Sequence, residues 1–131
     1  MNKSNLQLMA DHIKTIPQEV FDMQDYRKNN LLSIECGSIG CVIGHCIQLD
    51  PDSKNVPINK HFETIDFFKW SENFTELDGN SDEWNWCFDS RWKSTDNTPL
   101  GASKRIEYLI NNGLPENLRN QMFGYMKLCY L

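Results

Sequence analysis

A chain of 131 residues with 40% apolar and 24% charged side chains has the size and composition of one globular domain, which excludes wholesale disorder. Thirteen basic against eighteen acidic residues leave a net charge of −5, which opposes broad binding to a phosphate backbone, so nucleic acid is not an expected partner. No apolar run approaches the roughly eighteen residues of a membrane span; Leu6, Leu8 and Met9 are interrupted by polar residues, unlike a signal peptide. An odd count of five Cys without a secretory signal then reads as reduced thiols in a cytoplasm.

In chain order, Ser4 is placed to cap a first helix whose apolar stripe is Leu6, Met9, Ile13 and Ile16, ending at Pro17. Residues 17–30 read as a turn and a short helical piece capped by Asp22, and 31–35 ("LLSIE") as a short strand or extended lead-in. From Ile39, the positions Val42, Ile43, Cys46 and Ile47 follow a helical period, with Ser38 as cap and Asp50-Pro51-Asp52-Ser53 as the stop. Residues 51–60 are the most loop-like part. A further helix fits Glu63 to Phe74 through Phe67, Trp70 and Phe74. Asp78-Gly79-Asn80 is a turn, after which Ser81 caps "DEWNWCFDSRW" with Trp84, Phe88 and Trp92 near one side. The strongest helix signal has Thr98 as cap, Pro99 at the first position, Ile106, Leu109 and Ile110 on one face, and Gly113 beyond the end. Pro115 opens a last short helix through Leu118 and Met122, and "FGYMKLCYL" finishes as a strand or a docked extended end. The expected fold is mainly α: one domain, residues 1–131, of five or six helices, with room for one short strand or an extended tail.

The densest chemistry lies in "IECGSIGCVIGHC" (34–46). Cys36, Cys41 and His45 are residue types that zinc prefers, but C-x4-C-x3-H-C departs from the paired spacing of structural zinc sites, and a fourth ligand such as His61 or Cys87 would be needed. No metal or other cofactor is therefore expected, and buried structural thiols are the favoured account. Gly37, Gly40 and Gly44 give G-x2-G-x3-G, not the dinucleotide fingerprint, and no alternating strand and helix pattern follows. A calcium loop at Asp78–Asp82 fails at its sixth position, Glu83. A Cys41 or Cys36 nucleophile with His45 lacks an orienting carboxylate. Trp86 falls off the face shared by Trp84, Phe88 and Trp92, and an aromatic off the core face beside acids is a candidate protein contact, with Glu76, Asp78, Asp82 and Glu83 in the acidic stretch 72–89. Arg91, Lys104 and Arg105 are a candidate basic patch for an anion.

The ordered segments "CGSIGCVIG", "EWNWCFDSRW" and "NTPLGASKRIEYLINNGLP" resemble a family of small proteins, without an assigned activity, encoded by bacteria and their phages. In that family a Cys-Gly-Thr/Ser-x-x-Cys-x-x-Gly segment precedes an aromatic helix and a Thr-Pro-capped helix ending in Gly. The resemblance spans about residues 17–115 and makes Cys36, Gly37, Ser38, Cys41 and Gly44 the family positions, while His45 departs from the pattern. It implies an intracellular, accessory and often phage-borne setting.

The expected function is that of a non-enzymatic interaction protein, a phage accessory factor that binds and modulates a host or defence protein, with a homodimer as a further option. Its first rival is a small-ligand protein for a nucleotide or anion, with Gly37, Ser38, Arg91 and Arg105 lining the pocket; a metal-binding or thiol enzyme comes third.

Overall fold

The first helix, α1 (Lys3–Ile13), is opened by Asn2, whose side chain accepts from the Asn5 N–H at 2.9 Å, in place of the expected Ser4 cap. Both residue types can cap. Asn2 prevails because its own N–H is tied down, donating to the Thr75 carbonyl at 2.7 Å, which fixes where the helix begins. The stripe is as expected: Leu6, Met9 and Ile13 are buried and Ile16 packs partly against the core.

The computed structural model describes residues 1–24, 41–52, 58–59 and 64–131. The "LLSIE" strand, the Ser38 cap and Cys36, Gly37 and Gly40 lie outside these residues. A 3₁₀ turn at Gln18–Val20 follows Pro17, and Asp22 accepts from the Gln24 N–H at 3.0 Å in a local turn, as Asp commonly does. Helix α2 (Val42–Cys46) starts beyond Cys41, which is its extended N-cap, and passes into a 3₁₀ turn at Ile47–Leu49. Strands β1 (Ile58–Asn59) and β2 (Thr64–Ile65) pair antiparallel, with Ile58 opposite Ile65.

Helix α3 (Phe67–Thr75) is capped by Asp66, which accepts from the Lys69 N–H at 3.0 Å, so it begins later than Glu63. Its apolar face holds Phe67, Trp70 and Phe74, all buried as expected. Ser81 caps α4 (Asp82–Phe88), with Asp82 and Glu83 in the first turn where the helix dipole favours acids. The start of α5 (Pro99–Asn112) is also the expected one: Thr98 Oγ1 accepts from the Gly101 N–H at 3.0 Å, and Gly113 takes a positive φ of 77° beyond its end. Helix α6 (Leu118–Met122) follows Pro115, and the last residues run in turns with Tyr130 docked in the core. Six α-helices among the described residues make the protein mainly helical, one domain around a shared core. None of them is long and apolar enough to cross a membrane.

The most extensive helix pairing joins α1 to α5, where Ala10 and Ala102 are buried and the buried Ser103 hydroxyl donates to the Ala10 carbonyl at 2.8 Å. Helix α1 also closes the end of α3, where Asn5 Nδ2 donates to the Phe74 carbonyl at 2.8 Å. Two carbonyls that α3 cannot satisfy internally are thus paired from α1.

The aromatic helix departs from expectation in one respect that reassigns Trp86. The chain leaves the helix at Asp89, with ψ 137°, and Asp89 caps a separate 3₁₀ turn at Ser90–Ser94. Trp92 therefore does not continue the Trp84–Phe88 face; it meets Trp86 edge-on at 5.3 Å between ring centroids, while Trp84 and Phe88 pair with each other at 5.5 Å. Trp86 is fully buried, and its indole N–H donates to the Arg105 carbonyl at 2.8 Å. It is a core residue and not the exposed protein contact the helical wheel suggested. Trp86→Ala will consequently destabilise the fold by about 3–5 kcal/mol, seen as a lower urea midpoint at unchanged slope; a near-wild-type midpoint would return the indole to the surface.

Candidate functional site

Two thiols of the cluster that dominated the sequence, Cys41 and Cys46, are built as core. Cys41 and Cys46 flank α2 and are buried, and the Cys46 thiol lies 3.8 Å from the Met9 carbonyl. Burial, and then the neighbouring Cys41, push the Cys46 thiol well above its ordinary value, so it stays protonated at neutral pH and is no nucleophile there. His45 Nε2 lies 2.6 Å from the Val20 carbonyl, a distance that places the ring proton on that nitrogen and occupies it. Among the described residues, no three His, Cys, Asp or Glu side chains are gathered closely enough to hold a metal ion. Of the weak metal set, Cys41 and His45 have these environments, and Cys36 lies outside the described residues, as do Gly37 and Ser38 of the ligand set.

Arg105, expected on a surface patch with Arg91 and Lys104, is fully buried. The face of α5 that carries it is the core face, one turn before Leu109 and beside Ala102 and Ile106. Its guanidinium sits over the Trp92 ring, 4.3 Å from the centroid, and 5.4 Å from that of Tyr130. Nη1 donates to the Asp96 carbonyl at 3.2 Å and to the Tyr130 hydroxyl at 2.9 Å, and lies 3.5 Å from the Asp96 carboxylate. Tyr130 in turn donates to that carboxylate at 2.8 Å, and Thr98 to its other oxygen at 2.6 Å. The Asp96 carboxylate rests directly on Gly101, where an added Cβ would come within 2.0 Å of an oxygen. Any larger residue at 101 would dislodge the counter-ion of Arg105.

Burial lowers the Arg105 pKa, opposed by Tyr130 and Asp96, while burial raises that of Tyr130 and keeps its hydroxyl protonated as a donor. Cys87, also buried beside this cluster, is raised by burial as well. The cluster is therefore a cation, a carboxylate and a neutral phenol clamped between aromatic rings.

Arg91 lies elsewhere. Its Nε and Nη2 form a two-pronged bond to Asp89 at 2.9 and 2.5 Å, and its guanidinium faces Phe123, 5.3 Å from the ring centroid. Arg91 and Arg105 thus do not line one pocket. The acids are partly committed to the fold: Glu72 accepts from the Gly79 N–H at 2.9 Å, Asp78 accepts from the Asn80 N–H at 2.8 Å in the local turn, and Asp82 pairs loosely with Arg119 at 3.8 Å. Glu76 and Asp78 are exposed and Glu83 is half-buried, so the acidic stretch stays at the surface while its supposed aromatic anchor does not.

Sequence reasoning missed the exposed apolar turn that follows α6. Phe123 is 46%, Tyr125 79% and Met126 44% exposed, with the Phe123 and Tyr125 rings 6.1 Å apart. The turn is held by the Tyr125 and Met126 N–H groups donating to the Asn120 carbonyl and by positive φ at Gly124. A cavity of about 420 Å³ opens beside it, lined by Arg91, Ser94, Thr95, Met122, Phe123 and Gly124. The signal in the sequence was Gly124 between two aromatics, a pattern that breaks a strand and turns apolar side chains outward. No protein-family model, curated protein or solved structure matches the chain.

One pH dependence follows from this geometry. Burial raises the Asp89 carboxyl, but the Arg91 side chain and its backbone N–H outweigh burial and hold Asp89 below its ordinary value. Because the folded pKa lies below the unfolded one, this stability is present above about pH 4 and is lost as pH falls through the folded value. Unfolding free energy should therefore fall less steeply below about pH 4 in Arg91→Gln than in the wild type; parallel curves would show that the pair contributes nothing.

Proposed function

We propose that the chain is an interaction protein that docks a partner on the turn Phe123–Met126 and the adjoining groove. The observation that carries this is the clustering of three large apolar side chains, each more than two-fifths exposed, on one short turn of a domain whose four Trp are all buried. Scattered exposed apolar residues need no explanation, but aromatics grouped beside a groove are the usual anchor of a protein contact. Arg91 and Arg119 border the turn and its helix but already face Asp89 and Asp82, so the partner segment is expected to offer apolar side chains to the turn. The exposed Glu76, Asp78 and Asp82 belong to the same reading as charges that steer the encounter. The resemblance to phage-borne accessory proteins suggests a host or defence protein as that partner, an argument from setting and not from chemistry.

A photo-crosslinking residue placed at Tyr125 should give one discrete protein adduct in cells, and the same residue at the exposed Leu8 on α1 should not. Phe123→Ala with Tyr125→Ala should abolish the adducts formed from a second probe at Met126 and leave the melting temperature within about 2 °C of wild type. An adduct of twice the chain mass would make the partner a second copy. Equal labelling from Leu8 and Tyr125 would refute the site.

A further inference from the structure

Arg105 is bound at only one of its two edges. Nη1 takes all three of its contacts, to the Asp96 carbonyl, the Asp96 carboxylate and the Tyr130 hydroxyl, whereas Nε and Nη2 are buried without a hydrogen-bond partner among the described residues. Those two nitrogens project parallel N–H bonds from the side of the guanidinium, the fork that grips a carboxylate or phosphate with two bonds at once. Arg91 shows the same edge in use, with Nε and Nη2 on the two oxygens of Asp89. The Trp92 face attracts the Arg105 charge but supplies no lone pair to an N–H. Folded proteins rarely leave buried donors of a charged group without an acceptor, and each such group calls for an explanation.

We propose that the Nε and Nη2 edge of Arg105 is a binding site for a compact oxyanion, a phosphate or carboxylate group, reached when the C-terminal strap lifts Tyr130 from the core. Trp92 fixes the guanidinium plane, and the Asp96 carbonyl and carboxylate still hold Nη1 when Tyr130 is lifted, so the fork stays preorganised and loses little freedom on binding. The lid is held chiefly at one residue, Tyr130, whose ring meets Trp86 and Trp92 edge-on at 5.6 and 6.0 Å between centroids. From Phe123 to Leu131 only Tyr130 is buried and Leu128 half-buried, and the strap's end is tied by the Tyr130 hydroxyl and by the Cys129 N–H donating to Gln121 at 3.0 Å. Segments with so few buried contacts open at a small fraction of the global unfolding free energy. This site is separate from the apolar turn and does not depend on the reading of that turn as a docking surface.

The probe is inorganic phosphate at matched ionic strength, followed by the side-chain Nε–H resonance of Arg105 in the ¹⁵N-labelled full chain. Phosphate up to about 20 mM should shift that resonance where chloride does not, and raise the melting temperature in step. Tyr130→Phe keeps the ring but removes the hydroxyl that ties the lid, and should reach half-shift at several-fold lower phosphate. Arg105→Lys keeps the charge without the fork and should lose the phosphate-dependent rise in melting temperature; if that variant does not fold, the wild-type resonance decides. No shift at Arg105 in either wild type or Tyr130→Phe would overturn the proposal. So would shifts confined to Arg91 and Arg119, or an undiminished rise in Arg105→Lys.

Discussion

The burial of one guanidinium organises the C-terminal half of this protein. A charge removed from water at the core face of α5 needs a counter-ion, ring faces and acceptors, and each comes from a different part of the chain: Asp96 and its carbonyl from the residues before α5, Trp92 from the 3₁₀ turn, and Tyr130 from the penultimate position. The helix break at Asp89 makes this possible, because a continued α4 would keep Trp92 beside Trp84 and away from Arg105. Gly101 matters for the same reason, since only a residue without Cβ lets the Asp96 carboxylate lie against α5. The backbone carbonyl of Arg105 takes the indole N–H of Trp86, so the residue is held at both ends, and the aromatic core is tied to its position.

The N-terminal half is organised by simpler means. Ser103 joins α1 and α5 through a buried hydroxyl, and Asn2 and Asn5 close the end of α3. Every indole in the domain finds an acceptor: Asp50 for Trp70, Ser71 for Trp84, the Arg105 carbonyl for Trp86 and the Asn85 carbonyl for Trp92. That is why a chain with modest apolar content can bury four of its largest side chains without leaving an indole N–H unpaired. The Cys46 thiol of α2 belongs to this half and is buried against α1 at the Met9 carbonyl.

Local signals were legible where the physics is local. The Thr98-Pro99 start and Gly113 end of α5, the Ser81 cap of α4 and the buried faces of α1 and α3 all follow from spacing and capping within one helix. What failed required knowledge of a distant partner. Asp89 reads as one more residue of a helix until Arg91 is seen to pair with it and free it to cap the next turn. Arg105 reads as a surface cation because its partners lie nine residues before and twenty-five after it. Trp86 was misplaced by extending the helical period four residues beyond the helix, from Phe88 to Trp92.

The two proposals meet in one segment. Residues 123–126 display the apolar turn, and Tyr130, four residues further on, seals Arg105. The turn itself is held at Asn120 and Gly124, but the residues that join it to Tyr130 move with the strap, so a partner that also gripped those residues would hold the strap in its closed position. The closed strap would then favour the docking partner and exclude the anion, and the open strap would do the reverse. Thermodynamic linkage makes such antagonism reciprocal: whatever factor the anion subtracts from partner affinity, the partner subtracts from anion affinity. Its size is limited by how much more tightly each ligand binds one position of the strap than the other, while the buried Tyr130 ring and its two hydrogen bonds set the resting balance between the positions. The segment 123–131, with one buried aromatic, is suited to that role because its closed state is favoured by the contacts of a single residue, within reach of what a ligand or a partner can supply.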